Sequence, residues 1–195
     1  MIGKIDFGDQ PIIADIYHHR KSTWTIHLDS NGTVFNFVKT FKVKVDALRK
    51  SDYNNRGLAK SYLEAYQEAI ADYNEAIQID SKFEDAYFNR GSAKYDLHDD
   101  RGALADINKA IELNQHKSDF YVCRGCVKYA LKDYKGATID YSKAIALDPD
   151  NAMAYNHRGI ARIMMGLKDS GCMDLSKAGE LGYKNAYEEI KQYCE

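Results

Sequence analysis

Two kinds of side chain in this 195-residue chain are placed to do chemistry. Cys123-Arg124-Gly125-Cys126 has the two-residue spacing of a redox dithiol or of half a zinc site, and His18, His19 and His27 are close enough in sequence to share a metal ion. Both sets lack the companions that this chemistry needs. A zinc site requires further ligands at comparable spacing, and the other two cysteines are distant, at 172 and 194. The histidines have no acidic or cysteine partner at ligand spacing, and the chain contains no glycine-rich phosphate loop, nucleophile elbow or HExxH. The expectation is therefore no catalytic residue, no metal, no cofactor and no enzymatic activity. The second kind of side chain is charged. Arg56, Arg90, Arg124 and Arg158 are each followed sixteen residues later by an aspartate: Asp72, Asp106, Asp140 and Asp174. The planar fork of arginine suits a carboxylate in a partly buried helix interface, so this phase predicts a structural ladder of ion pairs.

The elements that must position these groups follow from the same arginines. Each precedes a glycine (Gly57, Gly91, Gly125, Gly159), and the pair returns every 34 residues. In the same phase stand Tyr53, Tyr87, Tyr121 and Tyr155, then small residues at 69, 103, 137 and 171, large ones at 73, 107, 141 and 175, and Ala76, Ala110, Ala144 and Ala178. Steps of three and four residues within each half of a unit predict two amphipathic helices per unit. Residues 97–101 and 131–135 form the hairpin turns, and Asp148-Pro149-Asp150-Asn151 links the third unit to the fourth. A glycine inside a helix costs about 1 kcal/mol relative to alanine, so four at one internal position imply close helix approach. This register puts Cys123 and Cys126 inside a first helix, at places held by Asn89 and Ser92 one unit earlier, as ordinary groove or core cysteines.

From residue 52 to about 185 the sequence resembles the tetratricopeptide repeat family. The pattern is carried by Tyr87, Arg90-Gly91, Ala103, Ile107 and Ala110 in the second unit, and by Tyr121, Arg124-Gly125, Ala137, Tyr141, Ala144 and Pro149 in the third. Arginine replaces the family's leucine before each glycine, and Lys60, Lys94, Lys128 and Arg162 replace its later tyrosine. The resemblance implies an all-α, right-handed α-solenoid of helix-turn-helix repeats, about 52–83, 86–117, 120–151 and 154–183, with a capping helix over 185–194. Asn185 is the expected N-cap of that last helix.

Residues 1–50 fall outside the pattern. There, Thr23–Leu28 and Thr33–Val38 are rich in β-branched and aromatic residues and flank Asn31-Gly32, which predicts a short β-hairpin packing on the array, with a further strand or helix entry over Phe41–Val45. The division is then an N-terminal segment, 1–50, and a repeat domain, 51–195. Net charge is −2 with acids and bases interspersed, which gives no strong attraction to nucleic acid or anionic membrane. No apolar run is long enough to span a bilayer or serve as a signal core, and four cysteines are too few for a disulfide framework, so a reducing cytoplasm is the expected setting.

Function is expected on the concave face, where the resemblance places the first helices. Carried onto this chain, it gives a peptide-binding groove lined by Asn54, Leu58, Tyr62, Asp85, Phe88, Ser92, Tyr95, Asp119, Val122, Cys126, Tyr129 and Asn156, an aromatic and mildly acidic trough. The family's clamp for chaperone carboxylate tails needs Lys and Asn, then Asn, then Lys and Arg on successive first helices. This chain offers Asn54, Leu58, Asn89, Asp119 and Cys123, of which only Asn89 agrees, so chaperone tails do not fit. The expected function is a non-catalytic protein-interaction module or scaffold that holds a peptide segment of a protein partner. The alternative is a structural, self-associating subunit in which the N-terminal hairpin mediates homodimerisation.

Overall fold

The computed structural model describes the backbone of residues 4–7 and 10–13 and the whole of residues 49–195. Contacts divide the chain into Met1–Ala47 and Leu48–Glu195. In the first unit, β1 (Lys4–Phe7) pairs antiparallel with β2 (Gln10–Ile13), in a register running from Lys4 opposite Ile13 to Phe7 opposite Gln10. Pro11 lies opposite Asp6, which is tolerated because, among the described residues, the sheet has two strands and both are edges. The hairpin expected over residues 23–38, the strand expected over 41–45, and His18, His19 and His27 lie outside the described residues.

The second unit is a run of helical hairpins: α1 (Lys50–Tyr62) with α2 (Tyr66–Ile79), α3 (Glu84–Asp96) with α4 (Asp100–Leu113), α5 (Ser118–Ala130) with α6 (Tyr134–Leu147), and α7 (Ala152–Met164) with α8 (Lys168–Glu180). Each second helix packs on the first helix of the next unit, and a short α9 (Ala186–Tyr193) packs on α8. The result is an α-solenoid. Its interior is built from the repeated small positions, with Ala69, Ala76, Ala103, Ala110, Ala137, Ala144 and Ala178 fully buried beside Tyr73, Ile107, Tyr141 and Leu175.

The helix-internal glycines are what allow the hairpins to close. A Cβ on Gly125 would stand 2.5 Å from Cε1 of Tyr141, and one on Gly171 would stand 2.7 Å from the carbonyl oxygen of Gly159. Any side chain there would push the two helices apart, which accounts for glycine where helix propensity opposes it. The turns are as regular as the helices. Glu64, His98 and Lys132 have φ of 59°, 61° and 63°, and Gly166 has 79°. In each turn the following amide reaches back to the last turn of the helix: Ala65 to Lys60, Asp99 to Lys94, Asp133 to Lys128 and Leu167 to Arg162, at 2.9–3.0 Å. This is the Schellman closure, which satisfies carbonyls that the ending helix leaves open.

Two details of the C-terminal end differ from expectation. Asn185 occupies the N-cap position of α9, but its side chain makes no capping hydrogen bond. Cys172 on α8 and Cys194 at the end of α9 form a disulfide across 22 residues, so the cysteines are not all unpaired. Packing α9 back onto α8 brings the two sulfurs together, a proximity that spacing along the chain does not reveal.

Candidate functional site

The structure brings together every arginine and aspartate of the sixteen-residue phase. Arg56, Arg90, Arg124 and Arg158 each donate from Nε and Nη2 to the two oxygens of Asp72, Asp106, Asp140 and Asp174, at 2.5–2.9 Å. These fork-on-fork pairs join the two helices of one unit. A second cation, not anticipated from the sequence, lies on the same carboxylates: Lys60, Lys94, Lys128 and Arg162, at 2.6–2.8 Å. The residues that replace the family's later tyrosine are therefore the second half of each ion triad. The aspartate side chains are only 2–8% exposed. The paired guanidinium of Arg56, opposed by burial, holds the Asp72 carboxyl below its ordinary range.

Two further contacts set each arginine in place. Its guanidinium lies over the tyrosine three residues earlier, at 5.1 Å for Tyr53 and 5.4–5.5 Å for Tyr87, Tyr121 and Tyr155. From the second unit onward, Nη1 also reaches the preceding unit: Arg90 to Asn74, Arg124 to Asn108 and Arg158 to Ser142. The ladder thus binds helix to helix and unit to unit.

The expected groove residues separate into closed and open sets. Asn54 and Val122 are 6% exposed and Asn156 is 0% exposed, so these three form internal contacts rather than a lining. Asn54 accepts from the Asn89 amide at 2.9 Å, and Asn156 donates to Glu189 of α9 while its Oδ1 is unpaired. Phe88 stacks on Phe120 at 4.7 Å, Tyr129 packs against Tyr134 at 5.1 Å, and Tyr95 lies against the central core. Asp85 is engaged by Lys117 at 2.5 Å. Asp119 is exposed. The terminal helix therefore closes the groove at Asn156.

The open set gathers at the other end of the array. Leu58, Ser61 and Tyr62 of α1, Tyr66 and Tyr73 of α2, and Asn89, Ser92, Ala93 and Asp96 of α3 line a cleft of about 260 Å³. Tyr73 forms its floor, buried, with its hydroxyl 3.1 Å from the Ser61 hydroxyl. Tyr62 stands at the rim, 87% exposed. Desolvation raises the Asp96 carboxyl above its ordinary range, with His98 acting in the opposite direction. The Tyr66 hydroxyl is also pushed up, by partial desolvation and by the charges of Asp96 and Glu64. Ser61 falls at a groove position of the family register, whereas Tyr66 does not. Tyr66 belongs to a second helix, and only the packing of α2 beside α1 turns it toward the cleft.

The CxxC pair lies in surroundings that disfavour the thiolate. Cys123 and Cys126 are free thiols within α5. Burial pushes the Cys123 thiol up to about 12, and it raises Cys126 as well, with the Tyr141 hydroxyl 3.5 Å from its sulfur. A thiol held protonated offers little attacking thiolate at neutral pH. Among the described residues there is no cluster of His, Cys, Asp and Glu that could hold a metal ion, and no helix long and apolar enough to cross a membrane.

Comparison with known proteins agrees with this architecture. No curated protein matches the sequence. Among solved structures, the crystal structure of MamA is 25% identical, with a TM-score of 0.67 over 77% of this chain and 86% of that chain. The first TPR of Spaghetti (RPAP3), bound to the HSP90 peptide SRMEEVD, is 26% identical, with a TM-score of 0.59 over 60% of this chain and 94% of that one. The Arabidopsis OM64 TPR domain is 26% identical, with a TM-score of 0.58 over 59% and 95%. Family models described as TPR repeat match residues 57–98 and 125–166, and one described as tetratricopeptide repeat matches 84–117. With the 34-residue period, the glycine-closed hairpins and these matches in one register, the chain belongs to the tetratricopeptide repeat family.

Proposed function

We propose that this chain is a non-catalytic interaction module that holds a peptide segment of a protein partner along its first helices. The observation that carries this reading is the open cleft between α1 and α3, with Tyr62 at its rim and a tyrosine floor. Exposed aromatics beside a preformed cleft are efficient anchors, because they bury much area with few torsions to freeze. A structurally similar array, the first TPR of RPAP3, is bound to a peptide, which supports the same mode here. Leu58, Tyr62 and Ser92 serve this end of the groove, and Tyr95, Asp119 and Tyr129 extend it.

The peptide is not a chaperone carboxylate tail. Asn54 and Asn89 bond to each other, Asp119 carries the wrong charge, and Cys123 is a thiol with no positive charge to offer, so the clamp positions offer no cation. The compartment bears on the partner's identity. Low cysteine density favours the cytoplasm, whereas the Cys172–Cys194 disulfide draws the reading toward an oxidising setting.

Selection of a random peptide library on the full chain, followed by photo-crosslinking of the selected peptides, tests the groove. A benzophenone at position 62 or 92 should capture them, and one at Ile139, 61% exposed on α6, should not. Capture from position 139 alone, or selection of no peptide, would refute the proposal. Light scattering separates the alternative, self-association through residues 23–38: a monomer excludes it.

A further inference from the structure

We infer that the cleft between α1 and α3 is a receptor for one cationic side chain, lysine or arginine, of the bound peptide; this rests on the peptide-groove reading and names the chemistry of its anchor. The floor of the cleft is internally satisfied. Asn89 gives its amide to Asn54, and the Tyr73 and Ser61 hydroxyls lie 3.1 Å apart. The cations on the adjoining helices are committed elsewhere, Lys60 to Asp72 and Lys94 to Asp106, both at 2.8 Å. Asp96 is different. It lines the cleft from the last turn of α3, and its carboxylate has no hydrogen bond or ion pair with any described residue.

The groups facing Asp96 add to this asymmetry. Glu64 in the turn after α1 brings a second negative charge to Tyr66, His98 is the base whose charge acts on Asp96, and the Cys123 thiol also feels the Asp96 charge. Tyr62 and Tyr66 then provide aromatic walls beside an unpaired carboxylate. A long cationic side chain matches all three parts: its methylene stem lies along the tyrosines, its charge over their rings, and its N–H groups on Asp96. An acidic side chain would meet Asp96 and Glu64 with like charge, and an aliphatic one would give the exposed Asp96 carboxylate no partner. The 260 Å³ of the cleft holds one such side chain, not a folded surface.

The test uses arrays of degenerate peptides with one central position fixed as Arg, Lys, Leu or Glu, probed with the full chain. Peptides with Arg or Lys should bind about five- to tenfold more tightly than those with Leu or Glu, the size expected of one cation–π contact plus one partly exposed ion pair. Asp96→Asn should level the preference and Asp96→Lys should reverse it toward Glu, with the helical circular dichroism unchanged. Should either variant fail to fold, the wild-type chain decides alone: the Arg and Lys preference must shrink as salt is raised. Binding without a cation preference, or a preference that survives Asp96→Asn or high salt, overturns this inference and leaves the peptide groove intact. Absence of any peptide binding overturns both.

Discussion

Replacing Asp140 by asparagine removes one charge from the middle of the ladder and leaves two cations facing a neutral amide. Asp140 accepts from Nε and Nη2 of Arg124 at 2.9 and 2.6 Å and from Lys128 at 2.7 Å, and its side chain is 2% exposed. At an effective dielectric of about 20, each ion contact is worth roughly 4 kcal/mol, offset by several kcal/mol of lost hydration. Removing one member of a buried pair costs about 3–5 kcal/mol. Here the cations keep 20% and 24% of their exposure and recover some water, which lowers the expected loss to about 2–4 kcal/mol. Asp72→Asn is the control with the same chemistry and a wetter partner. Arg56 is 50% exposed and reaches no preceding unit among the described residues, so about 1–2 kcal/mol is expected there. Urea unfolding followed by circular dichroism gives both numbers. A loss below about 1 kcal/mol at Asp140, or equal losses at the two sites, would refute the argument that burial sets the strength of the ladder. A triple replacement, Asp140→Leu with Arg124→Met and Lys128→Met, should return close to wild-type stability, because no charge is then stranded.

Three further outcomes follow from the packing. Gly125→Ala should cost about 1–3 kcal/mol, the range for overpacking, because its Cβ meets Tyr141 at 2.5 Å; a neutral result in urea unfolding would show that the hairpin can open without penalty. Reducing the Cys172–Cys194 bond, which closes 22 residues, should release up to about 3 kcal/mol of constraint. Hydrogen exchange should then accelerate in α9 and leave α3–α6 unchanged, and uniform acceleration would contradict a local role. Burial lowers the pKa of His157, whose ring is 5.7 Å from that of Tyr141, so the unfolded chain takes up the proton first. Stability should fall as pH drops through about 6.5, and His157→Gln should flatten that slope; an unchanged slope in urea midpoints would assign the effect to other groups.

What was legible in the sequence is what repeats. Gly57 and its equivalents, the buried alanines and the arginine–aspartate phase are each restated every 34 residues, so four copies report the same physical constraint. The lysines at 60, 94 and 128 repeat as well, yet they read as departures from a family pattern rather than as partners of the aspartates. Single events left no such signal. The Cys172–Cys194 contact arises from how α9 turns back on α8, and the four-residue strands β1 and β2 are too short to stand out by alternation, with Pro11 arguing against a strand. The groove was only partly legible. The family register names positions on first helices, but whether a position opens to solvent depends on its neighbours: Phe120 behind Phe88, Asn89 against Asn54, and Glu189 over Asn156.

The sideways reach of each arginine to the unit before it has a consequence for how such a chain can grow. Residues 84–117 carry an arginine that needs an acceptor upstream, Asn74, and an acceptor, Asn108, for the arginine downstream. The same stretch closes on itself through Lys117 with Asp85 and Asn114 with Glu84. Its two polar ends are complementary, like the plug and socket of one connector. A tandem duplication of this segment would place Asn108 of the first copy beneath the arginine of the second, with no unmatched charge at the seam. Length is then a free variable for evolution or for a designer, while the cleft near Tyr62 and the seal at Asn156 stay at their own ends.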